Sequence, residues 1–336
     1  MNEDKKKLIV LTGPTAVGKT DLSINLAKAM NGEIISADSA QVYKGLDIGS
    51  AKITNEEMQG VRHHLIDVYK PDFPFDVTVF KNEAKRLVDE ITSRGNVPIV
   101  VGGTGFYIQA LLYDIDFKNE EEDSSSREYR KELEDYLAET NDIDTLYDRL
   151  KTVDPVSAEM IHKNNHRKVI RALEFYHIHG TPISEHNAAE RKKESVYDSR
   201  YYVLTMNRER LYSRIEQRVD IMRDAGLVDE VKNLRAAGYN MSMNSMQAIG
   251  YKEIFQALDR IDSEAIQDPE LVKQIMDDAF FLIKMNTRHF AKRQMTWFRR
   301  EKDVIWLDKD IFSDNYSLSS EETDKMILEC ILKDNK

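Results

Sequence analysis

The stretch Gly13-Pro14-Thr15-Ala16-Val17-Gly18-Lys19-Thr20 satisfies G-x-x-x-x-G-K-[ST] at every position. Each part meets a need of anion chemistry. The glycines let the backbone wrap so that successive N–H groups face inward at an anion. Lys19 adds a point charge for the terminal phosphate, and the Thr20 hydroxyl suits Mg²⁺. An apolar run over residues 8–12 precedes this loop, and the residues after it place Leu22, Leu26 and Ala29 on one helical face. The order is strand, loop, helix, with the positive end of the helix aimed at the same point. The segment predicts a di- or triphosphate site with Mg²⁺, and leaves open which phosphate compound fills it.

A carboxylate follows the next strand-like run, "EIISA". Asp38 falls at its carboxyl end, which in an open parallel sheet faces the crevice of the phosphate loop. There it could hold Mg²⁺ through water or accept a proton from an attacking group, or it could be ordinary Asp-Ser turn chemistry. Gln41, three residues on, carries an amide able to grip adenine, or stands as a surface glutamine. "VVGGTGFYIQALL" supplies a second glycine loop, in which Gly102, Gly103 and Gly105 permit close approach and Thr104 offers a hydroxyl. Arg208 opens the helical stretch "RERLYSRIEQR" and is a candidate clamp on a departing phosphate, or part of a solvated helix face.

Elements must position these groups. Further strand-like runs cover residues 63–68, 97–102, 201–206 and 303–307, and helical spacing covers 78–94 and 106–112. Strands alternating with helices predict an α/β fold with a parallel sheet covered on both faces. Between residues 116 and 200 the rhythm stops, and polar helix-forming sequence predicts a helical insertion. The expected organisation is a first core part over 1–115, the insertion over 116–200, core completion with basic helices over 201–310, and a mobile tail over 311–336. "DFKNEEEDSSS" reads as an acidic, exposed connection.

The chain of 336 residues has a formal net charge of -11, a mild argument against a polyanionic partner. Clustering matters more than the sum. From Lys284 to Lys302 seven Lys/Arg stand against one acid, Glu301, with Phe290, Trp297 and Phe298 interleaved. Arg288, Lys292 and Arg299 share one stripe, and Arg293 and Arg300 a second. This helix suits a polynucleotide backbone, or is an amphipathic helix with wet charges and packed aromatics. One cysteine, Cys330, excludes an intrachain disulfide and a cysteine-rich metal module. No apolar run is long enough to span a bilayer and no secretory signal is visible, so the cytoplasm is the default compartment.

Read in order, "GPTAVGKT", "SADSAQVYKGLDIGSAK", "HHLID", "GGTGFYIQALL", "RKVIRALE", "SMQAIGYKE" and "TRHFAKRQMTWFR" resemble the tRNA dimethylallyltransferase family, over residues 8 to 307. The resemblance implies a P-loop NTPase-like core with a helical insertion. It implies transfer of a dimethylallyl group from dimethylallyl diphosphate to N6 of adenosine 37 in tRNAs that read codons beginning with U. On that reading the loop holds a diphosphate that leaves. Thr15 contacts a proximal or bridging phosphate oxygen, Arg208 and Mg²⁺ on Thr20 stabilise the leaving group, and Asp38 is the base. The resemblance places Asp38, Ser39, Ala40, Gln41 and Thr104 against the tRNA near the target base, with Gln41 reading a neighbouring adenine. Arg127 and Arg167 of the insertion would grip the anticodon stem-loop, and Gln247, Lys252, Arg288, Lys292 and Arg293 would add RNA contacts. The zinc finger that eukaryotic relatives append is absent from this sequence, so a bacterial-type enzyme without zinc is expected, and a monomer is the default. Two other readings of the same residues are a small-molecule or nucleoside kinase and a noncatalytic, nucleotide-switched RNA-binding protein.

Overall fold

Among the described residues six strands form one parallel sheet, in the order β3 (His63–His64), β2 (Gly32–Ala37), β4 (Val97–Gly102), β1 (Lys7–Thr12), β5 (Asp198–Thr205) and β6 (Val304–Asp308). The structure is a computed structural model and describes residues 5–117, 124–313 and 317–335. Part of the expected acidic connection over 116–126 lies outside the described residues.

The chain separates into two compact units, one of Met1–Leu112 with Val196–Lys336 and one of Tyr113–Ser195. The first unit begins with β1 (Lys7–Thr12), α1 (Lys19–Met30), β2 (Gly32–Ala37), β3 (His63–His64), α2 (Val77–Ser93), β4 (Val97–Gly102) and α3 (Gly105–Leu112). From Leu8 to Thr12 and from Glu33 to Ala37 every residue is buried, as expected of strands covered on both faces. The strand expected over 63–68 is cut to two residues, because Leu65 and Asp67 take left-handed φ of 60° and 54° and leave the ladder.

The second unit holds α4 (Ser124–Thr140), α5 (Ile143–Val153), α6 (Pro155–Met160), α7 (His166–His179) and α8 (Ile183–Glu190). Leu133, Leu146, Leu150, Val169 and Leu173 form its core at helical spacing. Glu174 is buried there and paired with Arg130.

The first unit resumes with β5 (Asp198–Thr205), α9 (Arg208–Asp224), α10 (Leu227–Ala236), α11 (Tyr251–Ser263), α12 (Pro269–Phe298), β6 (Val304–Asp308), α13 (Lys309–Phe312) and α14 (Ser320–Asp334). The helical unit ends at 195 rather than 200, because residues 198–200 already pair with β1 in the register Lys7↔Asp198 to Ile9↔Arg200.

The mobile tail expected over 311–336 is instead largely α14. Ser319 and Glu322 form a reciprocal cap at its start, and Ile327 and Ile331 are fully buried in the main core. Each such isoleucine contributes about 1.5–3 kcal/mol of burial, enough to hold one helix in place. Lys309 and Asp324, both buried, add an ion pair that ties α14 to α13.

The carboxyl ends of β1, β2 and β4 finish level, with Thr12↔Gly102 and Ala37↔Gly102 in register. The Thr12 hydroxyl donates to the Gly102 carbonyl at 2.6 Å, and the Thr104 N–H donates to the Ala37 carbonyl at 3.2 Å. A Cβ on Gly102 would lie 2.2 Å from the Ala37 oxygen, so only glycine lets these strand ends close up. Three segments that the sequence keeps far apart therefore emerge side by side: the loop after Thr12, Asp38 after Ala37, and the glycine turn after Gly102.

Candidate active site

The phosphate loop leaves β1 through Gly13, whose φ of 147° is costly for any residue with a side chain; a Cβ there would also meet the Leu204 carbonyl at 2.6 Å. Ala16 and Gly18 are left-handed at φ 64° and 90°, and the chain enters α1 at Lys19. The succession turns backbone N–H groups toward one concavity at a helix N-terminus. Lys19 folds back over it, its Nζ donating to the Gly13 and Pro14 carbonyls at 2.9 Å each.

Asp38 sits half-buried at the next strand end. Its Oδ1 accepts from the N–H of Ala40 at 2.9 Å and of Gln41 at 3.3 Å, which is the turn chemistry that its sequence context suggests. Its Oδ2 makes no hydrogen bond among the described residues. One oxygen shapes the turn and the other is open to accept a proton. The carboxylate is close enough to Lys19 and Arg218 for its charge to act on both.

The arginines at the loop are not the expected one. Arg208 opens α9, is exposed, and lies over the Tyr212 ring at 5.7 Å. Arg214 and Arg218, farther along the same helix, reach the loop: Arg214 Nε donates to the Ala16 carbonyl at 2.8 Å, and Arg218 Nη1 lies 3.4 Å from the Thr15 hydroxyl. Burial pushes the Arg218 guanidinium below its ordinary range, with the Asp38 charge opposing that shift. A signal for this pair was present in the sequence. Leu211, Ile215 and Val219 are the buried stripe of α9, and Arg214 and Arg218 run beside it at i,i+4 spacing; Arg208 shares the face of that stripe by spacing but stands exposed in the first turn.

The second glycine turn also serves a different neighbour than expected. A Cβ on Gly103 would lie 2.2 Å from Gln294 Nε2, and one on Gly105 2.2 Å from Trp297 Cδ1. These glycines admit two side chains of α12, three residues apart on one face.

The expected RNA contacts divide by burial. Gln41 spends its Nε2 donors on the carbonyls of Ser50 and Ala51, at 3.3 and 3.2 Å. Arg288 is engaged with Glu216 of α9, and its neighbour Lys284 with Asp220, so this end of the basic stripe fastens two helices together. Lys292, Arg293, Arg299 and Arg300 are exposed and make no ion pair among the described residues. Ser39 and Gln247 are exposed, Ala40, Thr104 and Lys252 half-buried. Arg127 and Arg167 are exposed on α4 and α7 of the helical unit.

No group of three or more His, Cys, Asp or Glu arranged for a metal occurs among the described residues. Mg²⁺ at a phosphate loop needs less, since it takes one or two protein oxygens, the substrate phosphates and water. The Thr20 hydroxyl is exposed beside Lys19 and makes no hydrogen bond among the described residues, which fits that donor set.

The electrostatics make a testable demand. Burial first, and the Arg218 charge second, lower the Lys19 pKa to about 7 against the opposing pull of Asp38. A bound anion favours the ammonium, so binding above this pKa must take up a proton. Inorganic diphosphate is expected to bind at about pH 8 with proton uptake that Lys19→Met abolishes, and affinity should fall up to about tenfold per pH unit above neutrality. Calorimetry in two buffers of different ionisation heat reads the proton number; equal uptake in both proteins would contradict the lowered pKa.

With this geometry in place, similarity to known proteins is extensive. A family model described as IPP transferase matches residues 41–301. A tRNA dimethylallyltransferase of Lachnoclostridium phytofermentans is 54% identical over 314 residues, covering 94% of this chain and 95% of that protein. The full-length tRNA isopentenylpyrophosphate transferase of Bacillus halodurans is 40% identical, with TM-score 0.67 and coverage of 98% and 96%. A eukaryotic dimethylallyltransferase, solved acting on tRNA, is 31% identical, with TM-score 0.74 over 90% of this chain and 74% of that one.

Proposed function

The chain belongs to the IPP transferase family, and from that premise we propose that it transfers a dimethylallyl group from dimethylallyl diphosphate to N6 of adenosine 37 in tRNAs that read codons beginning with U. The observation that carries the residue roles is the convergence of the phosphate loop, Lys19 and Arg218, with the Asp38 carboxylate near enough for its charge to act on both cations.

The chemistry divides accordingly. The allylic C–O bond breaks and its electron pair leaves on the diphosphate, which the loop N–H groups, Lys19 and Arg218 stabilise. The adenine N6 forms the new bond to carbon and gives its proton to Asp38 Oδ2. The Thr15 hydroxyl, beside Arg218, would contact a phosphate oxygen. Thr20 would hold Mg²⁺, which when bound adds charge neutralisation on the diphosphate. Adenosine 37 must leave its stack in the anticodon loop to meet a donor held in this crevice. The exposed cations at the end of α12 suit the anticodon stem-loop backbone, as do Arg127 and Arg167 in the helical unit. We read the enzyme as a monomer acting in the cytoplasm; among the described residues no helix is long and apolar enough to cross a membrane.

A paired assay tests the reading. Purified protein with Mg²⁺ receives labelled dimethylallyl diphosphate and unmodified tRNA carrying A36-A37, or γ-labelled ATP with the same RNA and a panel of nucleosides. Prenyl label on adenosine 37 is expected in the first arm and no phosphate transfer in the second. Phosphate moved to a small hydroxyl, with no prenyl transfer, would sink the proposal in favour of a kinase.

A further inference from the structure

We propose that Gln294 is a positioning residue for the transfer: its side-chain amide is a strut that holds the phosphate loop at a set distance from the glycine turn after β4, which is bonded to the strand end that carries the base. The proposal rests on the transfer reading above for its kinetic consequence, but the strut stands on geometry alone. Gln294 lies on α12, is 5% exposed, and uses both ends of its amide. Its Oε1 accepts from the Thr15 N–H at 2.9 Å, and its Nε2 donates to the Gly103 carbonyl at 2.9 Å.

These two partners belong to different parts of the site. Thr15 is in the phosphate loop, and Gly103 follows β4, one residue before the Thr104 N–H that bonds to Ala37. Ala37 is the residue before Asp38. A single planar amide of the 30-residue α12 thus bridges the loop and the turn after β4, and that turn is itself bonded through the Thr104 N–H to the residue before the carboxylate. A buried glutamine amide costs free energy unless both ends are satisfied, and the two hydrogen bonds satisfy them.

The strut has a chemical consequence for the loop. It takes the Thr15 N–H out of the set facing an anion, leaving that residue to act through its hydroxyl beside Arg218. The fixed backbone sets where that hydroxyl points. Gly103 is the complementary half of the device, since any side chain there would strike the amide at 2.2 Å. Reacting groups displaced by about 1 Å lose on the order of a hundredfold in rate, so loss of the strut should appear in the chemical step.

The test uses the full chain as wild type, Gln294→Met, Gly103→Ala and the double variant. Gln294→Met keeps the shape of the side chain and removes both hydrogen bonds; Gly103→Ala pushes the same amide away from the other side. Three readouts are taken: thermal unfolding, binding of inorganic diphosphate by calorimetry, and kcat and KM with labelled donor and tRNA. Each single variant is expected to bind diphosphate several-fold more weakly and to lose about ten- to a hundredfold in kcat. The double variant is expected to fall no further than the worse single, because both act on one contact. Should Gln294→Met not fold, Gly103→Ala alone must reproduce the loss. Folded single variants with kcat and diphosphate affinity within twofold of wild type would overturn the proposal, as would simple additivity in the double. If the wild type moves no prenyl group yet both variants weaken diphosphate binding non-additively, the strut stands and the transfer reading fails.

Discussion

Asp38→Asn is expected to lower the rate of prenyl transfer about 10²–10⁴-fold, the range of a lost general base, while tRNA and diphosphate still bind. The asparagine side chain keeps a carbonyl oxygen for the N–H groups of Ala40 and Gln41, so the turn that Asp38 Oδ1 organises survives. What disappears is the second oxygen as a proton acceptor. Removing the carboxylate also withdraws a negative charge that raises the Lys19 pKa. Binding should therefore be compared at pH 6 and below, since the Lys19 midpoint of about 7 in the wild type moves lower in the variant. Single-turnover transfer from labelled donor, with tRNA retention measured separately, separates chemistry from binding. A loss smaller than about tenfold would exclude Asp38 as the base.

Arg218→Gln is expected to cost about 10²–10³-fold in kcat, as for removal of one preorganised donor at a developing negative charge. Arg208→Gln should stay within about twofold, the usual outcome for an exposed side chain away from the chemistry. The contrast follows from position on one helix. Arg218 lies beside the Thr15 hydroxyl and within electrostatic reach of Asp38 and Lys19, whereas Arg208 lies over Tyr212 at the exposed start of α9. Lysine would be a poor replacement at 218, since a point charge does not reproduce a planar fork. A second signature accompanies the loss. Arg218 is one of the two causes lowering the Lys19 pKa, so its removal should move the alkaline decline in diphosphate affinity to higher pH. Equal effects of the two arginine variants would reject the assignment.

What the sequence determined by itself is local or sequential. Residues 13–20 carry their own geometry, because glycines, a lysine and a helix start suffice to build an anion site within eight residues. Asp38 was legible because the carboxyl end of a parallel strand has a known direction. Membership of the family was legible in the order of seven motifs, which requires no packing at all. Other parts of the structure also have local signals in the sequence: the cap Ser319–Glu322 and the pair Ile327 and Ile331 announce α14, and the i,i+4 pair Arg214 and Arg218 borders a buried stripe. What only the tertiary structure decided is which side chain meets which backbone across long separations. Nothing near Gly103 or Gly105 in sequence names Gln294 and Trp297 as the groups they make room for, 191 positions away in the case of Gln294. Nothing in the basic run of α12 distinguishes Arg288, spent on Glu216, from Lys292 and Arg293, which stay exposed. A helix declares its faces through its own periodicity, but the partner of each face is set by how the strands pair and the helices cross, and no window of sequence contains that information.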